Sequence, residues 1–92
     1  MISVNEYENG SVKSLGFESG GLSFTVGVVR PGTYSFPTEK EERITVTVGA
    51  IEFRLPGKGW ERVPAGETMV VPAGTRFDLR VDRTASYVCK YR

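Results

Sequence analysis

GETMVVPAGTRFDLRV, Gly66 to Val81, sets two short apolar runs on either side of a Pro72-Ala73-Gly74 punctuation. In the second run Phe77, Leu79 and Val81 fall on one side of an extended chain, with Asp78 and Arg80 on the other, because strand side chains alternate with period two. Proline presets φ and glycine accepts a positive φ, so the tripeptide between the runs reads as a turn. The same pattern fills the rest of the chain. Asn9-Gly10, Gly20-Gly21, Pro31-Gly32, Pro56-Gly57 and Ala65-Gly66 punctuate it at strand-like intervals. Leu22 to Val26 and Ile44 to Val48 alternate apolar with Ser or Thr. No eleven-residue window sustains a helical apolar stripe. The nearest helix candidate, Thr38 to Arg43, is polar all round and reads as a loop running into a strand. The expectation is an all-β domain spanning 1–92, with about eight to ten short strands.

Composition bounds the function. Ninety-two residues suffice for one core. Twelve Lys and Arg face eleven Asp and Glu, with the signs interleaved along the chain; nucleic-acid binding usually demands a basic excess gathered in a stripe, so no nucleic-acid partner is expected. A lone cysteine, Cys89, makes no internal disulfide, which fits a reducing cytoplasmic compartment. The opening MISVNEYENG has neither a basic leader nor an apolar run, and no stretch approaches eighteen apolar residues, so no membrane association is expected.

An all-β chain hides its sheet edges by closing a barrel or packing two sheets, and alternation alone does not choose between a jelly roll, an OB-fold and a small sandwich. The glycine spacing does. Gly66, five residues, Pro72, one residue, Gly74, two residues and Phe77 resemble the second cupin motif, with phenylalanine at its histidine position and Val81 at its terminal asparagine position. Gly32 opens what resembles the first cupin motif, and Glu42, six residues and Gly49 match its second half. Sixteen residues, Ala50 to Ala65, separate the two. The resemblance implies a single cupin (jelly-roll) β-barrel. The chain contains no histidine: the paired histidines of the first motif fall near Phe36 and Thr38, and of four usual ligand positions only Glu42 is a donor. One carboxylate does not make a transition-metal site, so no metal and no cofactor are expected.

A second resemblance covers nearly the whole chain. Asn5-Glu6-Tyr7, Val12 to Phe17, Gly32-x-Tyr34-x-Phe36, Glu42, Val48-Gly49-Ala50 and Ser86-Tyr87-x-Cys89-Lys90-Tyr91 resemble the bacterial pyrimidine/purine nucleoside phosphorylases, short cupins that lack the histidines. The resemblance implies a homodimer that uses inorganic phosphate to split many nucleosides into free base and ribose 1-phosphate.

That chemistry makes demands the residues can be weighed against. Phosphorolysis develops positive charge on the sugar. It needs an anion site for phosphate, a carboxylate or hydroxyl for the ribose, and an apolar wall for a flat base; positioning and electrostatics supply the rest. Glu42 shares the parity of Ile44, Val46 and Val48, which aims it at the barrel interior as the catalytic candidate; its competing role is a solvated strand start in a Glu-rich loop. Tyr34, Phe36, Thr38, Phe77 and Tyr91 are the substrate-binding candidates, although a small barrel also needs such aromatics simply as filling. Tyr87, Cys89 and Tyr91 share a face, and Cys89 reads as a small apolar residue because no histidine is present to activate it. Lys13 and Lys90 are the phosphate candidates, with Arg43 and Arg76 as competitors; alternation turns Lys90 away from Tyr87 and Tyr91. Trp60 follows a turn and reads as covering an edge or interface.

Two other functions fit the same sequence: a non-catalytic small-molecule-binding cupin, and a sugar isomerase or epimerase, which lacks its usual base here. A homodimer is expected on independent grounds. Val28-Val29 and Tyr87-Val88 put apolar groups on both faces of their strands, and a second copy is the commonest cover for an outer apolar face.

Overall fold

The computed structural model describes all residues 1–92. Ten strands follow in order: β1 (Ser3–Tyr7), β2 (Val12–Ser19), β3 (Leu22–Val29), β4 (Gly32–Pro37), β5 (Glu42–Val48), β6 (Ala50–Arg54), β7 (Glu61–Pro64), β8 (Thr68–Val71), β9 (Arg76–Val81) and β10 (Ala85–Tyr91). One 3-10 turn, Glu8–Gly10, is the only helical element. Thr38 to Glu41 is a loop feeding β5, as its polar composition requires.

The strands form two sheets, a large one in the order β1-β2-β3-β10-β5-β8 and a small one in the order β4-β9-β6-β7, and every pairing is antiparallel. The expected all-β cupin jelly roll is present, built from two packed sheets with no ladder joining them into a closed barrel. Side chains and turns bridge the edges instead. Tyr7 at the end of β1 meets Phe36 of β4 edge to face, 5.5 Å between centroids. Opposite, the turn between β7 and β8 bonds to β5: Gly66 N–H donates to the Val46 carbonyl and Val46 N–H to the Glu67 carbonyl.

Local chemistry explains the connections. Gly20 and Gly21 both have positive φ, 61° and 80°, and form the two-residue hairpin between the paired Ser19 and Leu22. At Gly32, φ is 150° and the Tyr34 ring lies over the backbone; a Cβ there would sit 2.8 Å from the Tyr34 hydroxyl. That hydroxyl donates to the Arg30 carbonyl at 2.8 Å and so pins the β3–β4 corner.

The core lies between the sheets. Val29, Val46, Val71 and Cys89 of the large sheet and Ile51 and Phe53 of the small one are at most 1 % exposed. Burying each large aliphatic or aromatic side chain stabilises by ~1.5–3 kcal/mol. The outer face of the small sheet is polar and paired. Arg80 binds Glu52 and Arg54 binds Asp78 across strands, and the Arg80 and Arg54 guanidiniums both pack on Trp60, 4.2 and 4.5 Å from its ring centroid. Trp60 covers a sheet face, where its position after a turn suggested an edge or interface.

One strand inverts expectation. In β3 the apolar set Phe24, Val26 and Val28 faces outward, and Ser23, Thr25 and Gly27 face the interior with Val29. Val26 and Val28 are 44 % and 48 % exposed. Val26 pairs with Leu15 of β2 and with Val88 of β10, so an apolar strip crosses β2, β3 and β10 on the outside of the large sheet.

Candidate active site

A cavity of about 200 Å³ lies between the sheets. Its wall is aromatic and aliphatic. Phe36 and Phe77 are cross-strand partners on β4 and β9, with tilted rings whose centroids are 6.2 Å apart, and Phe53 continues the aromatic row at 6.1 Å from Phe77. The large sheet supplies Glu42 from the start of β5 and Tyr87, Cys89 and Tyr91 from β10. Glu42 and Tyr91 are direct cross-strand partners, which places carboxylate and phenol side by side.

The electrostatics follow from burial. Desolvation raises the Glu42 carboxyl above its ordinary 4.5, opposed in part by the hydrogen bond from Cys89, whose thiol donates to Oε1 at 3.7 Å. Burial, reinforced by the Glu42 charge, pushes the Cys89 thiol up to about 12, so it stays protonated and is no nucleophile at neutral pH. Tyr87 is likewise pushed up to about 12, mainly by burial. Tyr91 is raised by burial too, and its hydroxyl shares a hydrogen bond with Thr25 Oγ1 at 3.1 Å. No Lys or Arg lines the cavity. Its one ionisable acid therefore has no cationic partner there.

The structure brings together Glu42, Phe36, Phe77 and Tyr91 of the sequence candidates. The other four lie elsewhere. Tyr34 is 8 % exposed and is spent on the β3–β4 corner. Thr38 points at the turn of the opening motif: its hydroxyl donates to the Pro72 carbonyl at 2.7 Å and accepts from Thr75 N–H at 3.0 Å. Lys13 and Lys90 fall on the outward parity of β2 and β10, opposite the lining residues Ser14 and Cys89, and Lys13 pairs with Glu6 at 3.0 Å. Arg76 is the neighbour of Phe77 and turns the other way, toward Ser35. Sequence reasoning did not single out Tyr7, Ser14 or Val12, which complete the wall. Their only signal is the inward parity of β1 and β2, and it is weak because that parity holds as many polar as apolar residues.

The cupin ligand positions are Phe36, Thr38, Glu42 and Phe77, and they offer one carboxylate and a hydroxyl already used by the backbone. No group of three or more His, Cys, Asp or Glu converges anywhere in the chain. This donor set does not fit a transition metal.

An all-β cupin fold with an apolar, single-carboxylate cavity is the class that fold and site define. The solved structure of a protein of unknown function from Vibrio parahaemolyticus shares it at a TM-score of 0.96 and 39% identity, covering 100% of this chain and 99% of that one. Another protein of unknown function, from Acinetobacter sp. ADP1, superposes at 0.92 with 26% identity over 98% of this chain and 90% of that one. The profile of the pyrimidine/purine nucleoside phosphorylases matches residues 2–91. Proteins of that name from Magnetococcus marinus and Yersinia enterocolitica are 47% and 45% identical, covering 99% of this chain and 99% and 98% of theirs. The chain belongs to the pyrimidine/purine nucleoside phosphorylase family.

Proposed function

We propose that the protein uses inorganic phosphate to split purine and pyrimidine nucleosides, with broad base tolerance, into free base and pentose 1-phosphate. The observation that carries this reading is the aromatic cavity with Glu42 at its wall, in a chain of this family. The base lies against Phe36, Phe77 and Tyr91. Stacking on these rings tolerates many bases, because each has a π-face while few share a donor–acceptor pattern. A phosphate oxygen bonds to the anomeric carbon as the bond to the base nitrogen breaks; the electron pair leaves with the base, which takes up a proton. Glu42, as carboxylate, accepts hydrogen bonds from ribose hydroxyls and stabilises the positive charge that grows on the sugar. No step needs a cofactor. Phosphate meets the sugar at the cavity mouth. The cation that holds it comes from outside the lining, because Lys13 and Lys90 lie on the outer face of the large sheet and do not reach the cavity from there.

The apolar outer face of that sheet supports a two-fold homodimer, and the buried free thiol of Cys89 suits a reducing cytoplasm. The test is direct. Purified protein is mixed with inosine or uridine, with and without phosphate, and free base is measured. Release that depends strictly on phosphate is expected. Nucleoside binding without turnover would replace this reading with that of a non-catalytic binding module, a reading favoured by the lack of any cation in the cavity wall.

A further inference from the structure

Next to the aromatic cavity lies a second recess with different chemistry. It is an open groove of about 580 Å³ on the inner face of β1, β2 and β3. Ser3, Asn5, Ser23, Thr25 and the backbone of Gly16 form its polar side, Glu18 stands among them, and Met1, Phe17 and Phe24 complete the lining. Tyr91 lines both the groove and the cavity and is the one residue the two share.

The polarity of this face is the anomaly. In a two-sheet protein the inner face carries the apolar set and the outer face the polar set. Here β3 does the reverse, with Phe24, Val26 and Val28 outward and Ser23 and Thr25 inward. The inner set is short, neutral and capable of both donating and accepting hydrogen bonds. A merely solvated strand face usually carries several Lys, Glu and Arg; this one carries Glu18 alone, whereas the outer face of this very sheet holds Lys13, Lys90 and Arg43. The groove is also kept open by its backbone: a Cβ on Gly16 would lie 2.6 Å from Ser3 Oγ. Its groups are paired with one another but loosely. Asn5 Nδ2 donates to Ser14 Oγ at 3.3 Å, Ser3 Oγ donates to the Gly16 carbonyl at 3.5 Å, and Thr25 shares its bond with Tyr91. These long bonds are exchangeable for bonds to a ligand.

We infer that this groove binds the hydroxyl-rich sugar half of the ligand, with Asn5, Ser23 and Thr25 hydrogen-bonding the furanose hydroxyls while the base occupies the aromatic cavity beyond Tyr91. The inference rests on the nucleoside reading above and adds the location of the sugar. A phosphate dianion does not suit the groove, because no Lys or Arg lines it and Glu18 would repel the charge. The orientation that follows puts the anomeric carbon beside Tyr91, the residue common to both recesses, with Glu42 on its cavity side.

The experiment uses backbone amide NMR of the intact protein titrated separately with uridine, D-ribose and uracil, together with the Thr25→Val and Ser23→Ala variants. Uridine and D-ribose should shift the amides of Asn5, Gly16, Ser23 and Thr25, and uracil should leave them in place. Each variant should weaken uridine binding by about tenfold, the value of one hydrogen bond, while uracil binding stays unchanged. The amide spectrum of each variant verifies that it is folded. Sugar-induced shifts confined to other residues, or variants that bind uridine as tightly as the parent, would overturn the inference. Loss of the phosphorolysis reading registers separately, as absence of base release by the parent protein, and leaves the ribose titration interpretable.

Discussion

Glu42 sits where a carboxylate is costly to ionise. Desolvation raises its pKa, so the folded protein holds the proton more tightly than the unfolded chain does. For such a group the stabilising contribution is complete below the unfolded value near 4.5 and is lost as pH rises through the higher folded value. The native protein is therefore less stable at pH 7–8 than it would be with a neutral side chain there. Glu42→Gln should melt higher than the parent in calorimetry at neutral pH, with the difference closing below about pH 4.5. The same variant removes the charge proposed to face the developing cation. Its turnover should fall about a hundredfold, on the order of 3 kcal/mol, with the fold intact. The acid limb of the pH–rate profile should lie above the usual carboxylate range in the parent and vanish in the variant. Near-normal phosphorolysis by Glu42→Gln would make the carboxyl structural and move attention to the tyrosines.

At the scale of elements, Thr38 shows how a ligand position became a fastener. It ties the end of β4 to the Pro72–Thr75 turn, with its hydroxyl to Pro72 and Thr75 and its backbone N–H to the Thr75 carbonyl at 2.7 Å. Thr38→Val keeps the shape and orphans a buried carbonyl and amide, so unfolding free energy in urea should drop by about 1–3 kcal/mol. An unchanged midpoint would show that the clasp contributes nothing. Such pairings were invisible in the sequence, where spacing alone put Thr38 beside Phe36 and Glu42. Turn glycines and strand alternation were legible, because each reflects local backbone geometry. Inward parity was legible for Glu42, Ile44 and Val46 and failed at Val48, which is 62 % exposed. The pairing of β5 with β10 shifts between Ser86 and Tyr87, so Val46 faces Tyr87 while Val48 faces Ser86. Thr47 is the extra residue of that bulge, and a one-residue slip turns everything beyond it to the other face. The inverted β3 was half legible. Neighbouring apolar residues announced two apolar faces, but only packing decides which side holds the second sheet.

For the whole molecule the governing question is what covers the large sheet. Leu15, Val26 and Val28 are 44 % to 48 % exposed, and a contiguous patch of this kind on a small protein marks an interaction surface. Sedimentation at micromolar concentration should give twice the chain mass of 10.1 kDa, and Val26→Lys, which sets like charges against each other across a two-fold axis, should yield the monomer. A parent protein that sediments as a monomer would remove the dimer. The two glycine frameworks made the overall fold readable, while edge closure by Tyr7 and Phe36 depends on side chains far apart in the chain.

Trp60, the only tryptophan, packs against Arg54 and Arg80 on the outside of the small sheet, with the cavity on the sheet's other side. Its emission therefore reports the integrity of that guanidinium stack and is lost from its native colour when the sheet melts. A ligand bound in the proposed site would leave this fluorophore's surroundings alone and perturb instead Tyr7, Tyr87 and Tyr91, which line the cavity. On the proposed site the chain would carry two reporters, one for folding and one for occupancy, each reading a different side of one sheet.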